Sequence, residues 1–148
     1  MYKRILVTLD GSDLAEMVIP HVEVVAEPGY SEVILLHVAP VPEMVVQGEV
    51  VVAYADQEEE RLRMTARRYL DRFVERLRAQ GIEARGAVRF GAPGPQILEA
   101  ALAEDADLIA MTTHGRSGLQ RLFYGSVAEE VLRGAKVPIL LVRGGSGG

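Results

Sequence analysis

Cysteine and tryptophan are both absent from the 148 residues. Without cysteine there is no disulfide, no thiol nucleophile and no thiolate metal site. Lysine occurs only as Lys3 and Lys136, and neither lies in a glycine loop, so a Walker-type phosphate loop is excluded. No Gly-x-Gly-x-x-Gly follows the first apolar run, which argues against a dinucleotide site of the Rossmann type. No nucleophile elbow and no Ser-His-Asp pattern is present. Apolar runs fall well short of the ~18 residues of a membrane span, and the first residues carry no signal-peptide core. The expectation is therefore a soluble cytoplasmic protein with no membrane partner. A formal charge of −5 argues against generic nucleic-acid binding, which favours a basic surface.

The remaining composition is that of an ordinary globular chain, 49% apolar and 25% charged. Its length suits a single domain, read as residues 1–143. Residues 144–148 form a glycine-serine tail with nothing to bury, expected to be disordered.

Five apolar runs read as strands, at residues 5–9, 33–38, 84–90, 108–111 and 139–142. The first lacks polar alternation, as a parallel strand covered on both faces does. Four helical patterns lie between them. The first follows Asp13 to Glu16, a capping-box spacing, with Leu14, Met17, Val18, His21, Val22 and Val25 at helical intervals. On this periodicity His21 falls on the apolar side, and His37, inside the second strand, reads as a packed core residue. The clearest helix spans 56–80, with Leu62, Ala66, Leu70, Phe73 and Leu77 on one stripe. A turn at 91–95 precedes a third helix around Ile97 to Leu102. The fourth opens at Ser126, with Glu129 at capping-box spacing and Gly134 just past its end. Residues 39–55, holding Pro40, Pro42 and Gly48, exceed a common connection and read as a mobile flap.

Alternating strands and helices give an open, doubly wound α/β fold with a parallel sheet. Ligands in such sheets bind beyond the carboxyl ends of the strands. Asp10 and Thr112 stand at two of those ends. A carboxylate at Asp10 can accept from ribose hydroxyls or an amino group, or it can cap the turn at Gly11-Ser12. The stretch from Thr112 to Ser126 is a strand, a glycine-bearing loop and a helix start, a combination suited to an anion. Ser126 can donate to phosphate or cap its own helix. Arg116 is the cation beside this site, with a solvated surface arginine as the alternative. His114 lies in the loop, but three scattered histidines make a weak metal site.

Gly115, nine intervening residues and Gly125-Ser126 resemble the nucleotide signature of the universal stress protein family. That signature has a further glycine where Thr112 stands, and a β-branched residue there takes space the sugar would approach. The resemblance extends over roughly residues 2–143, through Ile5-Leu6-Val7-Thr8-Leu9-Asp10-Gly11-Ser12, Leu35-Leu36-His37-Val38 and Gly91-Ala92-Pro93. It implies strand order 3-2-1-4-5 with four helices. It implies ATP as ligand, with Mg2+ or Mn2+ on the phosphates. It also implies backbone contact of Val38 with the adenine edge, phosphates wrapped by Gly115, Arg116, Ser117 and Gly118, and terminal phosphates at Gly125 and Ser126. The side chain of Val38 reads equally as plain core, and Gly118 lies outside the family spacing.

In that order the last strand is an edge, and an apolar edge invites pairing. A homodimer through Ile139 to Val142 is expected, as the resemblance also implies, with a monomer whose short last strand is shielded by the fourth helix as the alternative. No base is placed to activate water, so the reading is a nucleotide-binding stress-response or signalling module rather than an enzyme. Two alternatives stand beside it: a relative acting through protein contacts without nucleotide, and a slow ATPase.

Overall fold

The computed structural model describes residues 1–42, 50–113 and 125–144, with the backbone alone for 50–55. The elements are β1 (Arg4–Thr8), α1 (Asp13–Glu16), α2 (Ile19–Val25), β2 (Glu32–Ala39), α3 (Val50–Arg78), β3 (Glu83–Phe90), α4 (Pro93–Ala103), β4 (Leu108–Thr112), α5 (Ser126–Gly134) and β5 (Ile139–Val142). The five strands are parallel, in the order β3-β2-β1-β4-β5. With α1 and α2 counted as one interrupted crossover, four helical crossovers join them, as expected.

The central strands are apolar because both of their faces are covered. Ile5, Leu6 and Val7 of β1 are wholly buried, and every residue of β4 is buried. Alternation along the strands sends side chains into two cores. One holds Ile5, Val7 and Leu35 against α1, α2 and the Ala66–Leu70–Phe73–Leu77 stripe of α3. The other holds Leu6, Ile34 and Leu36 against Ile97 of α4 and Ala128 and Val131 of α5. The winding reverses between β1 and β4, whose Val7 and Ala110 are register partners.

Several local expectations change. The first helix is two pieces, because Pro20 has no N–H to continue it and α2 restarts with that proline in its first turn. The break shifts the buried face to Ala15, Val18, Ile19 and Val22. Met17 and His21, expected inside, are exposed. The α1 cap is Ser12 rather than Asp13, its Oγ accepting from Ala15 N–H at 3.1 Å. Helix α3 begins at Val50, so residues 50–55 belong to a helix and not to a flap; residues 43–49 lie outside the described residues. Helix α4 begins at Pro93, inside the expected turn, since proline is tolerated in a first helical turn. At α5 the cap position is Gly125, with φ 87° and no side-chain capping bond, and Ser126 is the first helical residue; the expected capping box is absent. Gly134 is the last residue of that helix rather than the one after it. No helix among the described residues is long and apolar enough to cross a membrane.

Candidate functional site

Beyond the carboxyl ends of the strands lies a cavity of about 660 Å³. Asp10, Val38, Thr112, Gly125 and Ser126 all line it. His114, Gly115, Arg116, Ser117 and Gly118 lie outside the described residues, as does the tail at 145–148.

Each wall follows from a strand end. Leu9 N–H still donates to Leu36 O at 2.9 Å, and then β1 turns away. Asp10 makes that turn: its Oδ1 accepts from Ser12 N–H at 2.8 Å and from Ser12 Oγ at 2.6 Å. The capping role weighed for Asp10 is therefore present. It occupies one carboxylate oxygen, and the other takes no further hydrogen bond among the described residues. Strand β2 outruns β1. Leu36 turns its backbone toward β1, and two residues later Val38 turns the same way, where β1 has ended. Its N–H and C=O therefore face the crevice, while its side chain packs on the α4–α5 core. Thr112 is 7% exposed. Alternation places its side chain on the face of Leu108 and Ala110, opposite the face that α5 covers.

The far wall is the start of α5, where Gly125, Ser126, Val127 and Ala128 reach the cavity. The positive φ at Gly125 is a conformation that glycine adopts at little cost. Gly125 brings no side chain to cap the first turn, and among the described residues no other side chain bonds its N–H groups, which stand at the positive end of the helix dipole. Asp10 carries the only formal charge among the described lining residues. The crevice thus has a carboxylate at one end and a helix N-terminus at the other.

His37 and Tyr69 are lining residues that the sequence does not single out. His37 is not core but half-buried in the cavity wall, with Nδ1 on Leu9 O at 2.8 Å. It stands edge-on to Tyr69 of α3, ring centroids 6.1 Å apart. The Tyr69 hydroxyl donates to Glu16 Oε2 at 2.8 Å. Burial, then the bond to Glu16, pushes that phenol far above its ordinary range. Periodicity shows Tyr69 only as a neighbour of the apolar stripe; its proximity to β1 depends on how α3 crosses the sheet.

The fold and crevice define a doubly wound α/β protein with a cavity at its topological switch point. The chain belongs to the universal stress protein family, whose model matches residues 1–143. A universal stress protein of Thermus aquaticus is 35% identical over 150 residues, covering 97% of this chain and all of the relative. The solved structure of MJ0577 from Methanocaldococcus jannaschii is 29% identical, with a TM-score of 0.84, covering 100% of this chain and 99% of that one. A family member from Arabidopsis thaliana, solved with AMP bound, shares the fold at 14% identity and a TM-score of 0.65, over 97% of this chain and 93% of that one.

Proposed function

We propose that this chain binds ATP in the crevice and serves as a stress-response or signalling module. The observation that carries the reading is the convergence of Asp10, Val38, Gly125 and Ser126 on one cavity at the switch point. Their chemistry is complementary to the parts of a nucleotide. The Val38 N–H and C=O form a donor–acceptor pair for the amino edge of adenine. The unoccupied oxygen of Asp10 accepts from ribose hydroxyls. The N–H groups at Ser126 and Val127 receive phosphate oxygens. Gly115, Arg116, Ser117 and Gly118 would complete the phosphate end, and Thr112 would border the sugar. The AMP-bound relative supports the choice of an adenine nucleotide.

Mg2+ or Mn2+ would enter with the phosphates. Among the described residues no group of three potential ligands could hold a metal ion. Magnesium suits this arrangement, since it keeps several waters and binds largely through phosphates. Binding rather than turnover is the reading: Asp10 is the one carboxylate among the described lining residues, and its second oxygen is assigned to the ribose rather than to an attacking water. We also read the molecule as a cytoplasmic homodimer paired through β5, an edge strand that is half-buried along its whole length.

Mass spectrometry of small molecules released from the purified protein, followed by calorimetry with ATP, tests the ligand. Recovered ATP and binding that Gly115→Val abolishes are expected. A protein that neither carries nor binds nucleotide would leave a family member working through protein contacts. For the dimer, Leu141→Lys should move sedimentation equilibrium toward monomer, and a monomeric wild type would end that part.

A further inference from the structure

We propose that Tyr69 is the positioning residue of the crevice, holding the Asp10 turn in place from helix α3 and so setting the preference for nucleotides with intact ribose hydroxyls. The inference rests on the nucleotide-binding reading for its second half only.

The Asp10–Gly11–Ser12 turn is fixed from within by short-range bonds, the two from Ser12 to Asp10 Oδ1 and the one from Ala15 N–H to Ser12 Oγ. None of these ties the turn to the rest of the molecule. Helix α1, which follows, has only four residues and is interrupted before α2, so it is a poor anchor. Leu9 ties the entry of the turn to β2 through Leu36 and His37, and on the exit side the anchor is Tyr69. Its hydroxyl donates to Glu16 at the end of α1, and Tyr69 lines the same cavity as Asp10 and Gly11. Arg72, one turn further along α3, sits 3.8 Å from the same Glu16 oxygen and stacks on the Tyr69 ring at 5.4 Å. The ring is itself locked, edge-on to both His37 and Phe73. A 29-residue helix packed on the sheet thus reaches the loop that, among the described residues, brings a carboxylate to the crevice.

A tyrosine that merely filled space would be replaced by phenylalanine without consequence. Positioning needs the hydroxyl. Tyr69→Phe keeps the ring contacts and removes one hydrogen bond, so the fold should survive. Two measurements then decide. In the protein without nucleotide, amide exchange at Gly11 and Ser12 should quicken in Tyr69→Phe, while exchange in β1 and β4 stays as in wild type. With nucleotide, wild type should prefer ATP over 2′,3′-dideoxy-ATP, and Tyr69→Phe should shrink that preference about 3- to 10-fold, the usual worth of one hydrogen bond. Its affinity for the dideoxy nucleotide should hardly move. Glu16→Ala should copy the effect. Glu16→Gln, which still accepts from the hydroxyl but loses the charge facing Arg72, should restore the wild-type pattern. Unchanged exchange at the turn overturns the positioning role whether or not the protein binds ATP. Altered exchange with an unaltered ATP-to-dideoxy ratio overturns the link to ribose selection. Wild-type protein that binds neither nucleotide removes the ribose half together with the reading it rests on, while the exchange measurement still decides the positioning.

Discussion

Helices α4 and α5 both start at the carboxyl edge of the sheet, and both starts line the same cavity, yet they are built in opposite ways. Helix α4 opens Pro93-Gly94-Pro95, so two of its first three residues have no N–H to offer. The carboxylate of Glu130, reaching over from α5, lies against Gly94 so closely that a Cβ there would stand 2.4 Å from it. An acid already meets the positive end of that dipole. Helix α5 opens Ser126-Val127-Ala128, every residue a donor, behind a glycine and with no side-chain cap among the described residues. The difference teaches that a helix start near a crevice is not by itself an anion site. What counts is whether its donors exist and whether something else has taken them.

The most disruptive change breaks the geometry of α5. Gly125→Val puts a β-branched residue at φ 87°, where such side chains are strained. The backbone should shift out of line, with ATP affinity falling about 100-fold, given strain of roughly 1–3 kcal/mol and misplaced donors. Calorimetry at constant salt reads it, and wild-type affinity in this variant would detach Gly125 from the ligand. Ser126→Pro is gentler and gives α5 the opening of α4. Proline suits a first helical position, and Gly125 has the extended ψ of 151° that a residue before proline needs. The helix should persist by circular dichroism while ATP affinity drops about 10-fold, the value of one charge-assisted hydrogen bond. The reciprocal change, Pro95→Ala, adds a donor to α4 and should leave ATP affinity within about 2-fold, because Glu130 still faces that terminus. Tighter binding in Pro95→Ala would show that α4 also touches the ligand.

How far such features could be read in advance depended on whether they were local. The β1 run and the Asp10 turn were legible because a strand buried on both faces is continuously apolar and its end is marked by Asp-Gly-Ser. The α3 stripe was legible because Ala66, Leu70, Phe73 and Leu77 recur at helical spacing. Periodicity mistakes the α1–α2 face because the helix is interrupted between Glu16 and Ile19, ahead of Pro20, and the phase slips there, turning Met17 and His21 outward. His37 was misjudged because a strand residue near the sheet's end belongs to the crevice rather than the core, which strand length alone does not disclose. The two helix starts show the same limit. Pro-Gly-Pro was visible as a turn signal, but the arrival of Glu130 from a residue 36 positions later is a tertiary event.

The smallest expected effect separates stability from binding. Ser126→Asp would place an acid at the first position of α5, ahead of Glu129, which is already in that turn but paired with Arg133. A carboxylate in a first turn interacts favourably with the unpaired N–H groups, worth about 0.3–1 kcal/mol at low ionic strength. The ligand-free variant should therefore melt slightly higher than wild type, with the gain fading as salt is added. The same charge repels phosphate, so ATP should bind more weakly and stabilise the variant less. Heat and ligand then move in opposite directions at one residue. At α4 the corresponding change, Glu130→Gln, should lower the melting temperature slightly and leave ATP affinity alone. If Ser126→Asp raised neither the ligand-free melting temperature nor the apparent dissociation constant for ATP, the start of α5 would be as indifferent to anions as that of α4, and the contrast between the two helices would fall.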